Sequence, residues 1–382
     1  MNRIFYLLLF FLFSCSITAQ KEQSSPNATW KNYPGYFNFH YDENNDKIML
    51  EISEFKKEFL LVYSLAAGVG SNDIGLDRGR INEQKVVRFE KHGKKIFLIQ
   101  SNYSYRALSK NAAERKAVKD AFAESVLHSF KIHTFKGGSY YIDLTKFLLQ
   151  DSYNGNSSAI SWANQGSYSV DATRSAIYLE GTLNFPNNTE FEAILTLKGK
   201  PQGGYIRSVV PTPNAVSLRQ HISFIKLPDN SYTPRKFMPN SGFFYTSFYD
   251  YATPIDQPLS KKYINRHRLI KKTPGTAPSE AVDPIIYYLD PGTPEPIRSA
   301  LLDGAKWWNQ AFVAAGFIDA FQVKMLPENV HPMDVRYNTI NWVHRSTRGW
   351  SYGGSISDPR TGEIIKGNVI LGSLRVRQDY LI

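Results

Sequence analysis

Apolar and polar residues alternate with the period of a strand over most of this chain. Tyr36-Phe37-Asn38-Phe39-His40-Tyr41 alternates, Asp42 to Asp46 supplies a turn, and Lys47-Ile48-Met49-Leu50-Glu51-Ile52 returns, which predicts a hairpin. Glu58 to Ala66 predicts a third strand. Val86–Glu90 and Lys95–Ile99 flank His92-Gly93 and predict a second hairpin. Val118, Phe122, Val126 and Phe130 recur at four-residue steps, which predicts one main helix over 111–130. Tyr140-Tyr141-Ile142-Asp143-Leu144 leads into a short helix, and further strands are expected at 176–185, 190–198, 204–210, 219–227 and 243–250. The pattern predicts an antiparallel β-rich domain over 35–251.

The pattern changes at residue 252. Pro254, Pro258, Pro274 and Pro278 mark 252–283 as a connection, although Tyr263 to Lys271 alternates and is expected to pair with a sheet. Ile285–Leu289 predicts a buried strand. Pro294-Glu295-Pro296 opens a helix over 295–315 with Ile297, Leu301, Ala305, Trp308, Phe312 and Ala315 on its apolar face, and Gly316 as its C-cap. Strands at 321–325, 340–343, 353–357 and 369–371 follow, with a turn at Asp358 to Gly362. The expected fold class is α+β: an antiparallel β-rich domain with one main helix, then a partial α/β unit over 284–382 with a mixed, mainly parallel sheet.

Composition adds a compartment. Asn2-Arg3, the apolar run Ile4 to Phe13 and the small residues up to Gln20 read as a secretory signal peptide over 1–20, followed by a polar leader over 21–34. The apolar run is too short to span a bilayer. The protein is therefore expected to be exported, to the periplasm, the outer-membrane surface or the medium. Leu12-Phe13-Ser14-Cys15 also admits a lipoprotein signal, with a lipid anchor on Cys15, the single cysteine. Either way the mature chain lacks a disulfide and a thiol nucleophile. The net charge of +11 is spread along the chain, and its densest run, Lys261 to Lys272, reads as the solvated face of a strand. Nucleic-acid binding is not expected.

Few constellations carry chemistry. Asp42-x-Asn44-x-Asp46 lacks the Gly and Glu that complete a calcium loop and reads as a turn. Gly68, Gly70 and Gly75 lack phosphate-loop spacing. His128 and His133 form no pincer, and His40, His221, His331 and His344 read as packing or surface residues. Trp308 is expected in the core. Gly353-Gly354-Ser355-Ile356-Ser357 is the exception. Two glycines leave a backbone that could pair with an extended peptide, or the segment is an ordinary edge strand with a bulge.

Residues 283–382 resemble the N-terminal subdomain of the zincins, close to the metzincin branch. More narrowly, residues 35–382 resemble secreted bacterial zinc-dependent metalloproteases in which a domain of unknown function precedes the catalytic domain. The resemblance rests on Gly35-Tyr36-Phe37, Leu76-Asp77-Arg78-Gly79, Tyr232-x-Pro234-Arg235, Tyr263-Ile264-x-Arg266-His267-Arg268-Leu269, Trp308-Asn309-x-Ala311-Phe312-x-Ala314-Ala315-Gly316-Phe317 and Asp358-Pro359-Arg360-Thr361-Gly362-Glu363-Ile364. It implies a peptidase that binds zinc through a His-Glu-x-x-His helix placed after the strand Val369–Leu371, with a peptide or protein as substrate. That motif is absent from these 382 residues, so the chain is expected to be an inactive N-terminal portion that binds no zinc. The resemblance transfers no catalytic or metal residue. It transfers only the substrate-pairing strand Gly353, Gly354, Ser355, Ile356 and Ser357. A secreted non-catalytic binding module or a pseudoenzyme is the alternative.

Overall fold

The computed structural model describes residues 30–152, 155–346 and 349–382. The signal segment and Cys15 lie outside the described residues. In chain order the strands are β1 Trp30–Tyr33, β2 Phe39–Asp42, β3 Lys47–Ile52, β4 Glu58–Ala67, β5 Ile81–His92, β6 Lys95–Gln100 and β7 Tyr105–Arg106. Helix α1 (Ala112–Ala121) precedes β8 Ser125–Lys136 and β9 Ser139–Asp143. Helices α2 (Thr145–Leu148) and α3 (Gly155–Trp162) precede β10 Gly166–Val170, β11 Ala176–Ile177, β12 Leu183–Asn184 and β13 Asn188–Pro201. Helix α4 (Gly204–Val209) precedes β14 Ala215–Lys226, β15 Tyr245–Asp250, β16 Ser260–Ile264, β17 Ser279–Glu280 and β18 Ile285–Leu289. Helices α5 (Ile297–Lys306) and α6 (Asn309–Ala314) lead to β19 Phe317–Ile318, β20 Phe321–Met325, β21 Asn338–Val343, β22 Tyr352–Ser357, β23 Ile364–Gly372 and helix α7 (Ser373–Tyr380).

One sheet dominates. Among the described residues it has 13 strands, in the order β1-β2-β3-β9-β8-β6-β5-β4-β14-β13-β10, with β11 and β12 also on β13. Every pairing within it is antiparallel. Its centre is buried on both faces, as the unbroken run Phe59-Leu60-Leu61-Val62-Tyr63 requires. Phe59, Leu61 and Tyr63 enter an aromatic core with Phe39, Phe89, Phe191 and Phe224. Leu60 and Val62 face the other way and pack with Val86, Ile225, Val335 and Ile356.

Val335 and Ile356 come from the C-terminal part, whose five-stranded sheet runs β20-β18-β21-β23-β22. Its neighbours are parallel except β22, which lies antiparallel to β23 at one edge. The alternation in β23 sorts its faces. Val369 and Leu371 turn toward α5 and join Leu289, Leu301, Ala305 and Ile340. Ile370 turns the other way, is fully buried, and stands where a Cβ on Gly79 would meet it at 2.9 Å.

The expected fold class is overturned. The protein is mostly β, built on the antiparallel sheet. Taken as a whole it is not a helix-plus-parallel-sheet, zincin-like α/β arrangement. Helices cover one face of the small sheet, and its other face is closed by the large sheet. Local expectations fail for identifiable reasons. The helix predicted over 111–130 stops at Ala121, and 125–136 is strand β8 between β6 and β9. Residues four apart share a face in a helix and also in a strand, so the spacing was ambiguous. Segment 204–210 is helix α4, begun where the Gln165 side chain accepts from Ile206 N at 3.0 Å. Segment 176–185 breaks into two two-residue pairings.

The helix predicted over 295–315 is two helices, tightened into i→i+3 turns at Trp307 and Trp308. Trp308 is 67% exposed, outside the core. Gly316 does close α6 in the left-handed region, φ 80°. Part of the presumed loose leader, Trp30–Tyr33, pairs with β2. Of the presumed strand 263–271 only the start lies in β16.

Phe59 touches three aromatic neighbours within 5.3 Å between centroids. Phe59→Ala should lower unfolding free energy by about 3–5 kcal/mol in a denaturant titration. A loss below about 1 kcal/mol would place this side chain outside a packed core.

Candidate substrate-pairing edge

Among the described residues strand β22 has one hydrogen-bonded neighbour, β23, with Gly353 opposite Val369, Gly354 opposite Asn368 and Ser355 opposite Gly367. On its outer side the Gln84 amide, projecting from β5, takes two backbone groups. Gln84 Nε2 donates to Ser355 O at 2.8 Å, and Ser357 N donates to Gln84 Oε1 at 3.0 Å. Backbone groups alternate sides along an antiparallel strand, so Gly353 faces outward with Ser355 and Ser357 while Gly354 and Ile356 face β23. The sequence-predicted segment is thus divided. Its second half is already paired by a side chain, and the open part of the edge centres on Gly353. Ile356 is a buried contact to the large sheet, and the Ser355 and Ser357 hydroxyls bond each other at 2.8 Å.

Gly353 and Gly354 are exposed, and a Cβ added at either would meet nothing within 4 Å. The contrast is Gly367 on β23, where a Cβ would strike the Tyr287 hydroxyl at 2.0 Å. Internal packing requires a glycine at 367 and not at 353 or 354. Each glycine in a strand costs about 0.5–1 kcal/mol relative to alanine.

The edge is held by the turn that follows it. Arg106 donates to Pro359 O at 2.6 Å and to Arg360 O at 2.7 Å, with its guanidinium 4.0 Å over the Phe248 ring. Burial pushes the Arg106 pKa down to about 10, still charged at neutral pH. Arg268 forks onto Glu363 at 2.7 and 2.9 Å. Arg266 exchanges backbone bonds with this turn, from its N to Gly362 O and from Ile364 N to its O, and its guanidinium lies over Tyr232. Three of the six stretches that carry the family resemblance, 232–235, 263–269 and 358–364, therefore meet around this turn, and a fourth, 76–79, bonds other residues of the C-terminal part. Asp77 pairs with Arg345 at 3.0 Å, both almost fully buried, Arg78 reaches Asp290 and Trp342 O, and Asn368 donates to Gly79 O.

Beside this interface lies a cavity of about 360 Å³, lined by Glu190, Glu192, Arg219, His331, Lys366 and Asn368 among others. Alternation on β13 and β14 puts Glu190 and Glu192 on one face with His221 and Ser223. The His221 ring bonds Glu190 at 2.6 Å through Nε2 and Glu192 at 3.3 Å through Nδ1. Burial pulls its pKa down, but the two carboxylates outweigh it and raise it to about 9. Lys366 donates to the Pro332 and Asp334 carbonyls, and burial lowers its pKa to about 8. Among the described residues no group of three or more His, Cys, Asp or Glu side chains is arranged to hold a metal ion.

The other sequence-stressed residues do not converge. His40 lies 3.8 Å from Glu51, His128 packs on Phe130 and Phe147, and His133 sits at a β-bulge near Trp30. His344 bonds the Ser373 hydroxyl, and His331 stacks on Phe185. Gln84, the Glu190–His221–Glu192 chain and Lys366 went unread in the sequence. Glu190-x-Glu192 and His221-x-Ser223 carry the alternation signal, but only the cross-strand register brings them together.

These features define a β-rich protein in which an antiparallel sheet positions the edge of a smaller one. The domain of unknown function DUF5117 matches residues 79–272, just over half of the chain, and the protein belongs to that family. No curated protein and no solved structure matches the chain. No helix of the described residues is long and apolar enough to cross a membrane.

His221 has a folded pKa above its ordinary 6.5, so its stabilisation is present below about pH 6.5 and is lost as pH rises through about 9. Lys366 acts in the opposite sense, since its lowered pKa costs stability below about 8 and ceases to do so above its unfolded value. Comparing wild type with His221→Gln isolates the first effect. The stability gap should narrow by on the order of 3 kcal/mol between pH 6.5 and 10 in urea titrations. A gap that stays constant with pH would rule out a buried imidazolium.

Proposed function

We propose that this chain is the N-terminal portion of an exported zinc-dependent metallopeptidase, and that its share of the work is to hold a substrate polypeptide extended along the Gly353 edge. The observation that carries the reading is the pair of exposed glycines on an edge strand where nothing in the chain itself requires them. An incoming backbone pairs with outward N–H and C=O groups and is hindered by flanking side chains, and glycines remove that hindrance. The family resemblance supports the peptide as substrate class.

The residues present do not make a zinc-peptidase site. The chain contains no His-Glu-x-x-His, and both ring nitrogens of the buried His221 are taken by carboxylates. On this reading the metal, its imidazole ligands and the general base belong to sequence other than these 382 residues, and no hydrolytic step is assigned to residues of this chain. What these residues do is positional. Gln84, Arg106 and Arg268 fix the edge so that a bound peptide is straight and immobile.

Purified alone, the 382-residue chain should not hydrolyse a casein-type substrate in the presence of zinc. Chelator-sensitive hydrolysis by this chain would sink the assignment. In peptide-binding titrations Gly353→Pro should weaken an extended peptide about tenfold, the loss of one backbone hydrogen bond with its partner left unpaired. Its melting temperature should be unchanged. Gly354→Pro instead removes an inward ladder bond and should destabilise the fold by about 3 kcal/mol. Unchanged peptide affinity in a folded Gly353→Pro protein would remove the edge from substrate binding.

A further inference from the structure

Past the Gln84 clamp the surface continues as a hollow of about 160 Å³ lined by Gln84, Gln100, Tyr103, Arg106, Thr246 and Pro359. Tyr103 and Arg106 also line an open cleft of about 830 Å³ between α1 and the ends of β5 and β6. Arg360, from the turn after the edge strand, lines it too. The free edge and the cleft are therefore parts of one surface.

The cleft is electropositive. Its basic side chains are Lys56, Lys57, Arg88, Arg106, Arg115, Lys119 and Arg360, against the acidic Glu58, Glu90 and Glu124, with Arg360 held by Asp358 and Lys57 by Glu54 from outside the cleft, so that its excess charge rests on Lys56, Arg106, Arg115 and Lys119. Two of those acids are already spent on one cation, since Arg88 forks onto Glu124 and bonds Glu90. Glu58 accepts from the neutral Ser101 and Tyr103 hydroxyls. Arg106 is compensated by backbone carbonyls and no carboxylate, and Arg115 by the Ser109 carbonyl. Lys119 has only Glu124 at 3.8 Å, an acid that Arg88 already holds. Lys56, exposed in the connection between β3 and β4, holds a left-handed backbone, φ 64°, where glycine would be unstrained.

The aromatic wall narrows the kind of anion. Tyr105 and Phe122 stack on each other with centroids 3.9 Å apart, and the Tyr105 ring also stacks with Tyr249. Arg106 lies 5.1 Å from the Tyr103 ring centre. Stacking a nucleobase needs a free ring face, which these pairings occupy. Carboxylates on a flexible chain need only the cations and the path that leads to them.

We propose that this cleft is a docking site for an acidic stretch of the polypeptide whose neighbouring residues pair with the Gly353 edge, an inference that rests on the edge reading above. Along the extended chain the acidic residues would lie on the side of the Gly353 contact that leads past Gln84 toward the cleft. The cleft selects substrates by charge, and the edge holds them independently of sequence.

The test uses fluorescence anisotropy with the 382-residue chain and two labelled peptides of equal length. One carries an Asp/Glu cluster at one end of a neutral stretch, and the other has Asn/Gln in its place. The acidic peptide should bind at least tenfold more tightly at low salt, and the preference should fade toward 0.5 M salt. Arg115→Gln/Lys119→Glu changes exposed positions on α1 and should abolish the preference while leaving the neutral peptide's affinity unchanged. Gly353→Pro should weaken both peptides alike. A preference that survives the α1 variant overturns the cleft. So does tighter binding of a uronic-acid oligomer or a single-stranded oligonucleotide than of the acidic peptide. Charge preference retained with no effect of Gly353→Pro would keep the cleft and discard the edge, so the two failures are distinguishable.

Discussion

The Arg268 fork on Glu363 is the contact through which the rest of the edge is positioned. A guanidinium matched to a carboxylate in two parallel bonds fixes orientation as well as distance. Glu363 stands at the end of the turn that returns β22 into β23, so holding it sets where the edge strand begins its ladder. Arg106 grips the other side of the same turn through its carbonyls. Glu363 is almost fully buried, so losing Arg268 would strand a carboxylate in low dielectric, which gives the pair its grip. The exposed Lys116–Asp120 pair on α1 carries no comparable consequence.

The polar fastenings work because an apolar seam lies beneath them. Leu60, Val62, Val86 and Ile225 meet Val335 and Ile356 across the two sheets, and burial of that surface supplies attraction without direction. Direction comes from Gln84 on the edge strand, Asp77 with Arg345, and Asn188, whose side chain bonds both Met333 O and Val335 N. Asn188 stands in register with Ile225 on β14, so one segment of sheet provides both the seam and its alignment. A family defined on residues 79–272 thus carries much of what orients residues outside that span.

Legibility in the sequence followed the range of the physics. Both hairpins, 36–52 and 86–99, were readable because turn residues and alternation are local, and Gly93 does adopt positive φ. The double burial of β4 was present in its unbroken apolar run. Strand β8 was not readable, because Val126 and Phe130 satisfy two periodicities and only the backbone bonds to β6 and β9 decide between them. The fold class failed for the same reason at larger scale. The small sheet's strands were visible one by one, but nothing local says that its second face is closed by the large sheet. Of the candidate site, the glycine pair was legible as an open backbone, whereas Gln84 is one polar residue of an alternating strand until register sets it beside Ser355.

The buried charges show where the fold accepts cost. A hydrophobic pair in place of Asp77 and Arg345 would be as stable or more so, since desolvation consumes most of what two buried charges gain. What such a pair adds is intolerance of misalignment. A shift of one residue would leave both ions unpaired, whereas a slipped apolar seam loses only part of its contact. The same holds for Glu190, His221 and Glu192, where the imidazolium on β14 bonds two carboxylates of β13 at once. If the edge must present Gly353 at a fixed place and angle to an extended chain, register matters more than gross stability. Putting ions at the alignment points and aliphatics between them is the arrangement that secures it.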